Sequence, residues 1–211
     1  MSHNFISYLR HLKSHIAGIV FDLFHGVETN SAVNENQLGF KNSSSYPYIP
    51  VDPISLQKIL SKLPISTEDI FCDIGCGKGR ALIIASMFPF KKVIGIDIHP
   101  TLIDRAKVNI QKYKKSEVYC QDATQAAFND EVTWLFMACP FTGELFDQFL
   151  IHLEDSLERN PRNFYFLYQT PIENERILQS KYFSSMEVPI KKYQKSYHFY
   201  QSILQPKNLK K

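Results

Sequence analysis

At 211 residues with 44% hydrophobic content, the chain can bury one substantial core and is too short for a second full domain. Its formal charge of +3 is too small for electrostatics alone to demand nucleic acid or an anionic membrane as partner. Four cysteines, at 72, 76, 120 and 139, fit no zinc-knuckle or Cys-x-x-Cys spacing, which argues against structural zinc and for small buried hydrophobes in a reducing compartment.

The chain opens with Phe5, Leu9, Leu12, Ile16, Ile19, Val20 and Phe24 at near-helical spacing, which predicts a helix over residues 4–24 whose apolar stripe packs onto the domain, with an amphipathic surface helix over 5–24 as the alternative. His3, Arg10, His11, Lys13 and His15 read as its solvated face. The apolar stretch 16–24 is interrupted by Asp22 and falls well short of the roughly twenty residues that cross a bilayer. A soluble, cytoplasmic protein without a membrane partner is therefore expected. A polar segment, 30–45, leads into Tyr46-Pro47-Tyr48, and Asp52 and Pro53 then mark the start of a helix over 53–63. The boundaries implied are an N-terminal helical or lid segment over 1–48, a main domain over 49–205 and a flexible basic tail over 206–211.

From residue 70 onward strands alternate with helices. Apolar runs predict strands over 70–72, 93–97, 117–120, 132–138 and 163–168, and helices fall over 80–88, 100–113 and 144–160. The last helix has the clearest stripe, with Leu145, Phe146, Phe149, Leu150, Leu153 and Leu157 opposed by Asp147, Gln148, His152, Asp155 and Glu158, so His152 reads as a solvent-face residue and not a base.

The densest chemistry lies at Asp73-Ile74-Gly75-Cys76-Gly77-Lys78-Gly79. A strand that ends in an acid and feeds a glycine-rich turn into a helix lets backbone approach a ligand closely, with the helix N-terminus aimed at it. The spacing excludes two common ligand classes. A dinucleotide fingerprint needs its third glycine three residues after the second, where this chain has Arg80, and a phosphate-binding P-loop needs a Gly-Lys-Ser/Thr ending that is missing. A second acid, Asp97, closes the next strand about twenty residues beyond Gly77, where carboxylates bond vicinal ribose hydroxyls. Lys78 and Arg80 read as a solvated helix start.

The run Asp73 to Gly79 resembles motif I of class I S-adenosylmethionine-dependent methyltransferases, acidic-x-Gly-x-Gly-x-Gly, and three further segments follow in the family's order. Phe21-Asp22-x-x-x-Gly26-Val27-Glu28-Thr29 ahead of that motif, Arg80 after it, Pro89-Phe90-Lys91-Lys92-Val93-Ile94-Gly95 and a Pro-Phe after the fourth strand look like a group of small bacterial members, over about residues 20–200. The resemblance implies an α/β, Rossmann-like class I methyltransferase sheet, mostly parallel, with helices on both faces and an antiparallel pair at its C-terminal end, over 182–188 and 197–204. It implies S-adenosyl-L-methionine as cofactor, with Asp73, Gly75, Cys76, Gly77 and Gly79 orienting the methionine end and Asp97 the ribose. Ile98 and Ala123 would border the adenine, Asp122 would contact its amino group, and Cys139 would flank the cofactor. Pro140, Phe141 and Tyr48 would face the methyl acceptor, with Tyr46 and Tyr48 as lid candidates.

Relatives that methylate exocyclic amines carry Asn or Asp and then Pro-Pro-Tyr/Phe after the fourth strand, whereas this chain has Cys139-Pro140-Phe141. A thiol cannot accept a strong hydrogen bond from a substrate amine as an amide or carboxylate would. A protein side chain or small molecule is therefore the expected acceptor ahead of a nucleic-acid base, and nucleic acid is not indicated as a partner. The residues also allow an S-adenosylmethionine-binding protein without catalytic activity. No general base is assigned and no metal is expected.

Overall fold

The structure, a computed structural model, describes residues 3–33 and 47–203, with residues 3–11 described by their helical backbone alone. Seven strands form one sheet in the order β3-β2-β1-β4-β5-β7-β6: β1 Ile70–Ile74, β2 Lys92–Asp97, β3 Ser116–Cys120, β4 Trp134–Met137, β5 Tyr165–Gln169, β6 Phe183–Met186 and β7 Tyr197–Ser202. The first five pair in parallel, and β7 runs antiparallel to both β5 and β6, as expected for this sheet. Strand order reverses between β1 and β4, so the crossovers leave a crevice at the carboxyl ends of those strands.

Among the described residues six α-helices flank the sheet: α1 His3–His25, α2 Pro53–Leu60, α3 Arg80–Ser86, α4 Pro100–Ile110, α5 Glu144–Arg159 and α6 Asn174–Gln179. Helix α2 starts as its sequence dictates, with the Asp52 side chain accepting from Ser55 N at 2.7 Å and Pro53 in the first turn. One core lies between α5 and the sheet, where Phe146 stacks on Tyr168 at 5.9 Å. The other core joins α2 and α3 to the opposite face, under Phe71, Trp134 and Phe199. Gly95 of β2 sits where any side chain would collide, because a Cβ there would lie 2.6 Å from Leu82 and 2.9 Å from the Cys76 sulfur.

Helix α1 departs from expectation. Its apolar stripe faces outward, with Leu12, Ile16, Ile19, Val20, Leu23 and Phe24 exposed, and Gly18, Phe21 and Asp22 face the domain instead. The cause is the seat beneath it. A Cβ on Gly18 would lie 2.0 Å from Asn30 Oδ1 and 3.0 Å from an Arg80 nitrogen, so close approach and polar anchoring, not apolar area, orient the helix. Among the described residues no helix is long and apolar enough to cross a membrane. The expected tail over 206–211 and Tyr46 lie outside the described residues.

Replacing Gly95 with alanine is expected to destabilise the fold by about 1–3 kcal/mol through overpacking, measured as a lower urea midpoint with unchanged slope.

Candidate cofactor site at the strand switch point

The crevice holds a cleft of about 280 Å³. Its walls include Gly75 after β1, Asp97 and Ile98 after β2, Asp122 and Ala123 after β3, Cys139, Pro140 and Phe141 after β4, and Tyr48 from the N-terminal segment. Those residues come from segments 16 or more positions apart in the chain, and the parallel sheet brings the strand-end groups to one edge.

The glycine turn is pinned to β2. Gly75 N and Cys76 N both donate to Ile96 O, at 2.8 and 3.1 Å, and Gly77 N donates to Asp97 Oδ2 at 2.9 Å. Gly75 has φ +77 and a Cβ there would lie 2.5 Å from Pro140, so the turn and the Pro140 wall can meet only around a glycine. Gly77 has φ +53 and lies flat under the Tyr48 ring, whose carbons a Cβ would reach at 2.1 Å. Gly79 and Cys76 are part of the turn and do not line the cleft.

Asp73 sits apart from the cleft. It faces an adjoining cavity of about 20 Å³, enough for about one water, which shares Tyr48, Gly75 and Ala138 as walls with the cleft and also touches Arg80. The Asp73 carboxyl has no hydrogen-bond partner among the described residues, and burial, with Asp97 adding repulsion, holds its pKa well above the usual carboxylate range. Asp97 is also raised by burial, against the opposing hydrogen bonds from His99 N, at 2.9 Å to Oδ1, and from Gly77 N. Asp97 thus accepts from the backbone N–H groups of Gly77 and His99, with Ile98 N–H adding to them, and its remaining acceptor capacity is left for a ligand. Asp122 uses Oδ1 for Thr124 N and Oγ1, at 2.9 and 2.7 Å, and its Oδ2 has no described partner.

Lys78 and Arg80 correct the sequence reading: both are buried rather than solvated, at 6% and 2% exposure. Arg80 Nε donates to Thr29 Oγ1 at 2.7 Å, Nη1 to Val51 O at 3.1 Å, and Nη2 to Asn30 Oδ1 at 3.1 Å and Asp22 Oδ1 at 3.4 Å. Asp22 in turn accepts from Thr29 N, Thr29 Oγ1 and Asn30 N, at 2.5 to 2.7 Å. Lys78 Nζ reaches Glu28 Oε1 at 3.4 Å and lies 5.9 Å from the Tyr48 ring centre, while the Tyr48 hydroxyl donates to Thr29 O at 2.8 Å. The Asp22 to Thr29 motif is thus the counter-piece of Arg80. Sequence alone held both halves, 58 positions apart, without a signal that they meet.

On the far wall, Cys139 adopts φ +53 and burial raises its thiol pKa, so it stays a neutral thiol. Phe141 is mostly packed, edge-on to Phe149 at 5.7 Å. Glu173 accepts from Gly143 N at 2.8 Å and pairs with Arg176 at 2.7 Å, which ties the loop after β4 to the start of α6. Cys120 is exposed, contrary to its expected burial, because β3 is the edge strand of the sheet.

Residues 71–157 match the family model described as a methyltransferase domain. The chain is 37% identical over 67 residues to a protein-lysine N-methyltransferase of Saccharolobus islandicus, covering 31% of this chain and 42% of that protein. It is 33% identical over 95 residues to a histone-lysine N-methyltransferase, H3 lysine-79 specific, of Dictyostelium discoideum, covering 44% of this chain and 5% of that protein. The chain therefore spans less than half the length of the curated relatives it matches. An RNA methyltransferase of Salinibacter ruber, solved with S-adenosyl-L-homocysteine, superposes with a TM-score of 0.51 at 17% identity, covering 77% of this chain and all of that one. Over residues 71–157 the chain is thus similar to a methyltransferase domain, and its sheet has the fold of the solved methyltransferase it superposes on.

Two outcomes follow from the charges. Asp22→Ala leaves the Arg80 guanidinium buried without its counter-ion and is expected to cost about 3–5 kcal/mol of stability in urea unfolding. Asp73→Asn acts in the opposite direction. A carboxyl whose folded pKa is raised contributes stability below its unfolded value near 3.8 that is lost as pH climbs through the folded value. The unliganded Asp73→Asn protein is thus expected to melt above the parent at pH 7, with the gap closing as pH falls toward 4, read by thermal scans across that range.

Proposed function

We propose that the protein transfers the methyl group of S-adenosyl-L-methionine to an acceptor on a protein side chain or a small molecule. The observation that carries this reading is the pair of buried acids, Asp73 and Asp97, set on either side of one glycine turn at the switch point of the sheet. Burying two like charges is costly unless cationic or hydrogen-bonding ligand groups meet them. An amino-acid ammonium suits Asp73, vicinal hydroxyls suit the spare lone pairs of Asp97, and the free oxygen of Asp122 suits an exocyclic amine between Ile98 and Ala123.

The cofactor supplies an already activated methyl on its sulfonium, so no side chain need form a covalent intermediate. The chain's own tasks are to align that methyl with the acceptor and to exclude water. Pro140 and Phe141 form the wall beside the transfer point, and Tyr48 covers the glycine turn. The cavity at Asp73 is too small for an amino-acid tail while Tyr48 rests on Gly77, so loading requires the 47–49 segment to lift. In this reading the N-terminal segment is held at Asp22 to Asn30 and moves at Tyr48.

The acceptor preference rests on Cys139, a poorer acceptor than an amide or carboxylate for the exocyclic amine of a nucleic-acid base, and on the lysine-directed names of two of the curated relatives. Labelled methyl transfer from S-adenosyl-L-methionine into cell lysate, fractionated into protein, nucleic acid and small molecules, tests it. Label in protein or small molecules is expected; label in nucleic acid alone overturns the preference, and binding without any label leaves a cofactor-binding protein. Asp97→Asn removes the charge yet keeps one backbone-bonding oxygen, so the fold is retained. Its affinity for S-adenosyl-L-homocysteine is expected to fall by about 1.5–3 kcal/mol in titration calorimetry, and an unchanged affinity refutes the ribose role.

A further inference from the structure

The outer face of α1 is neither core nor ordinary surface. Phe24, at 84% exposure, and Leu23, at 77%, are the two most exposed large apolar side chains among the described residues. Val20, Ile16, Ile19 and Leu12 continue the same stripe back along the helix, at 41–59% exposure. Nothing in the fold requires them to be apolar, since the helix is already seated by Gly18, Phe21 and the Asp22–Arg80 network. A stripe of this length with no partner among the described residues marks an interaction surface.

Its charge is one-sided. Lys13 is exposed beside the stripe, Lys112 donates from Nζ to His25 O at the helix C-terminus, and Lys114 is exposed two positions beyond. The acids that could offset these lysines are committed elsewhere. Asp22, the only acid of the helix, is held by Thr29, Asn30 and Arg80, and Glu28 pairs with Lys78 and Arg105. Pairing this face with a second copy would bring uncompensated lysines together without acids to meet them, whereas anionic headgroups complement them.

We propose that α1 is an interfacial anchor that lays Leu23, Phe24 and the stripe behind them into an anionic lipid surface, with Lys13, Lys112 and Lys114 meeting the headgroups. An apolar face dipped into the headgroup boundary and flanked by lysines is the physical form of a helix that lies on a bilayer without crossing it. The sequence reading, which asked whether residues 16–24 could span, excluded crossing and expected the stripe to face inward. The outward stripe is what reopens contact with a membrane.

Sedimentation of the full chain with vesicles tests this, using neutral phosphatidylcholine alone and phosphatidylcholine with about one third phosphatidylglycerol. Binding to the anionic vesicles alone, weakened by salt, is expected. The double variant Leu23→Ser/Phe24→Ser, whose side chains support no core contact, should bind at least about tenfold more weakly while keeping the parent circular dichroism and melting temperature. Lys13→Glu/Lys114→Glu should lose binding with the apolar stripe intact. Absence of binding to anionic vesicles overturns the proposal, as does binding that the serine variant leaves unchanged. A concentration-dependent dimer that the serine variant abolishes, in sedimentation velocity, would assign the face to a second copy instead.

Discussion

A buried guanidinium sets the terms for the rest of this molecule. Arg80 lies in the first turn of α3, directly after the glycine turn, and at 2% exposure its charge must be met by fixed partners. Those partners, Asp22, Thr29, Asn30 and the Val51 carbonyl, all come from the chain before the sheet. Satisfying one cation therefore draws the N-terminal segment across the switch point. That is why Tyr48 ends over Gly77, why the cleft has a third wall, and why α1 is rotated so that its polar seat faces in.

The glycine turn makes the complementary demand. It is held at the end of β2 by Ile96 O and Asp97, so the acid assigned to a ribose also shapes the loop that receives the rest of the ligand. Asp97 holds the turn and the segment after β2 through backbone N–H groups, and in the proposed reading its remaining acceptor capacity meets the ligand. Asp73 has no such second use among the described residues, and its raised pKa records the cost of keeping a carboxyl buried without a donor.

What the sequence made legible was local. Strands with acids at their carboxyl ends, the alternation of elements, the stripe of α5 and the Asp52 cap of α2 follow from periodicity and turn chemistry within a dozen residues. The short α6, the turn Lys191–Tyr193 and the β5-to-β7 link carry too few residues to announce themselves. Arg80 was misread because a cation at a helix start is solvated unless something distant covers it, and that cover lies about fifty positions upstream. Helix α1 was misread for the same reason: its apolar period was correctly detected, but the side it presents is decided by polar contacts that periodicity does not weigh. Cys120 looked like its neighbours until strand order put it on the sheet edge.

The acids at the ends of β1 and β2 also bear on turnover under the proposed reaction. They address an ammonium and a sugar, the parts of the cofactor that losing a methyl leaves untouched. The grip is therefore blind to whether the molecule is fresh or spent, apart from the sulfonium charge itself. An enzyme built this way is throttled by its own by-product unless that by-product is cleared, and its pace in the cell follows the ratio of the two forms more than the abundance of either.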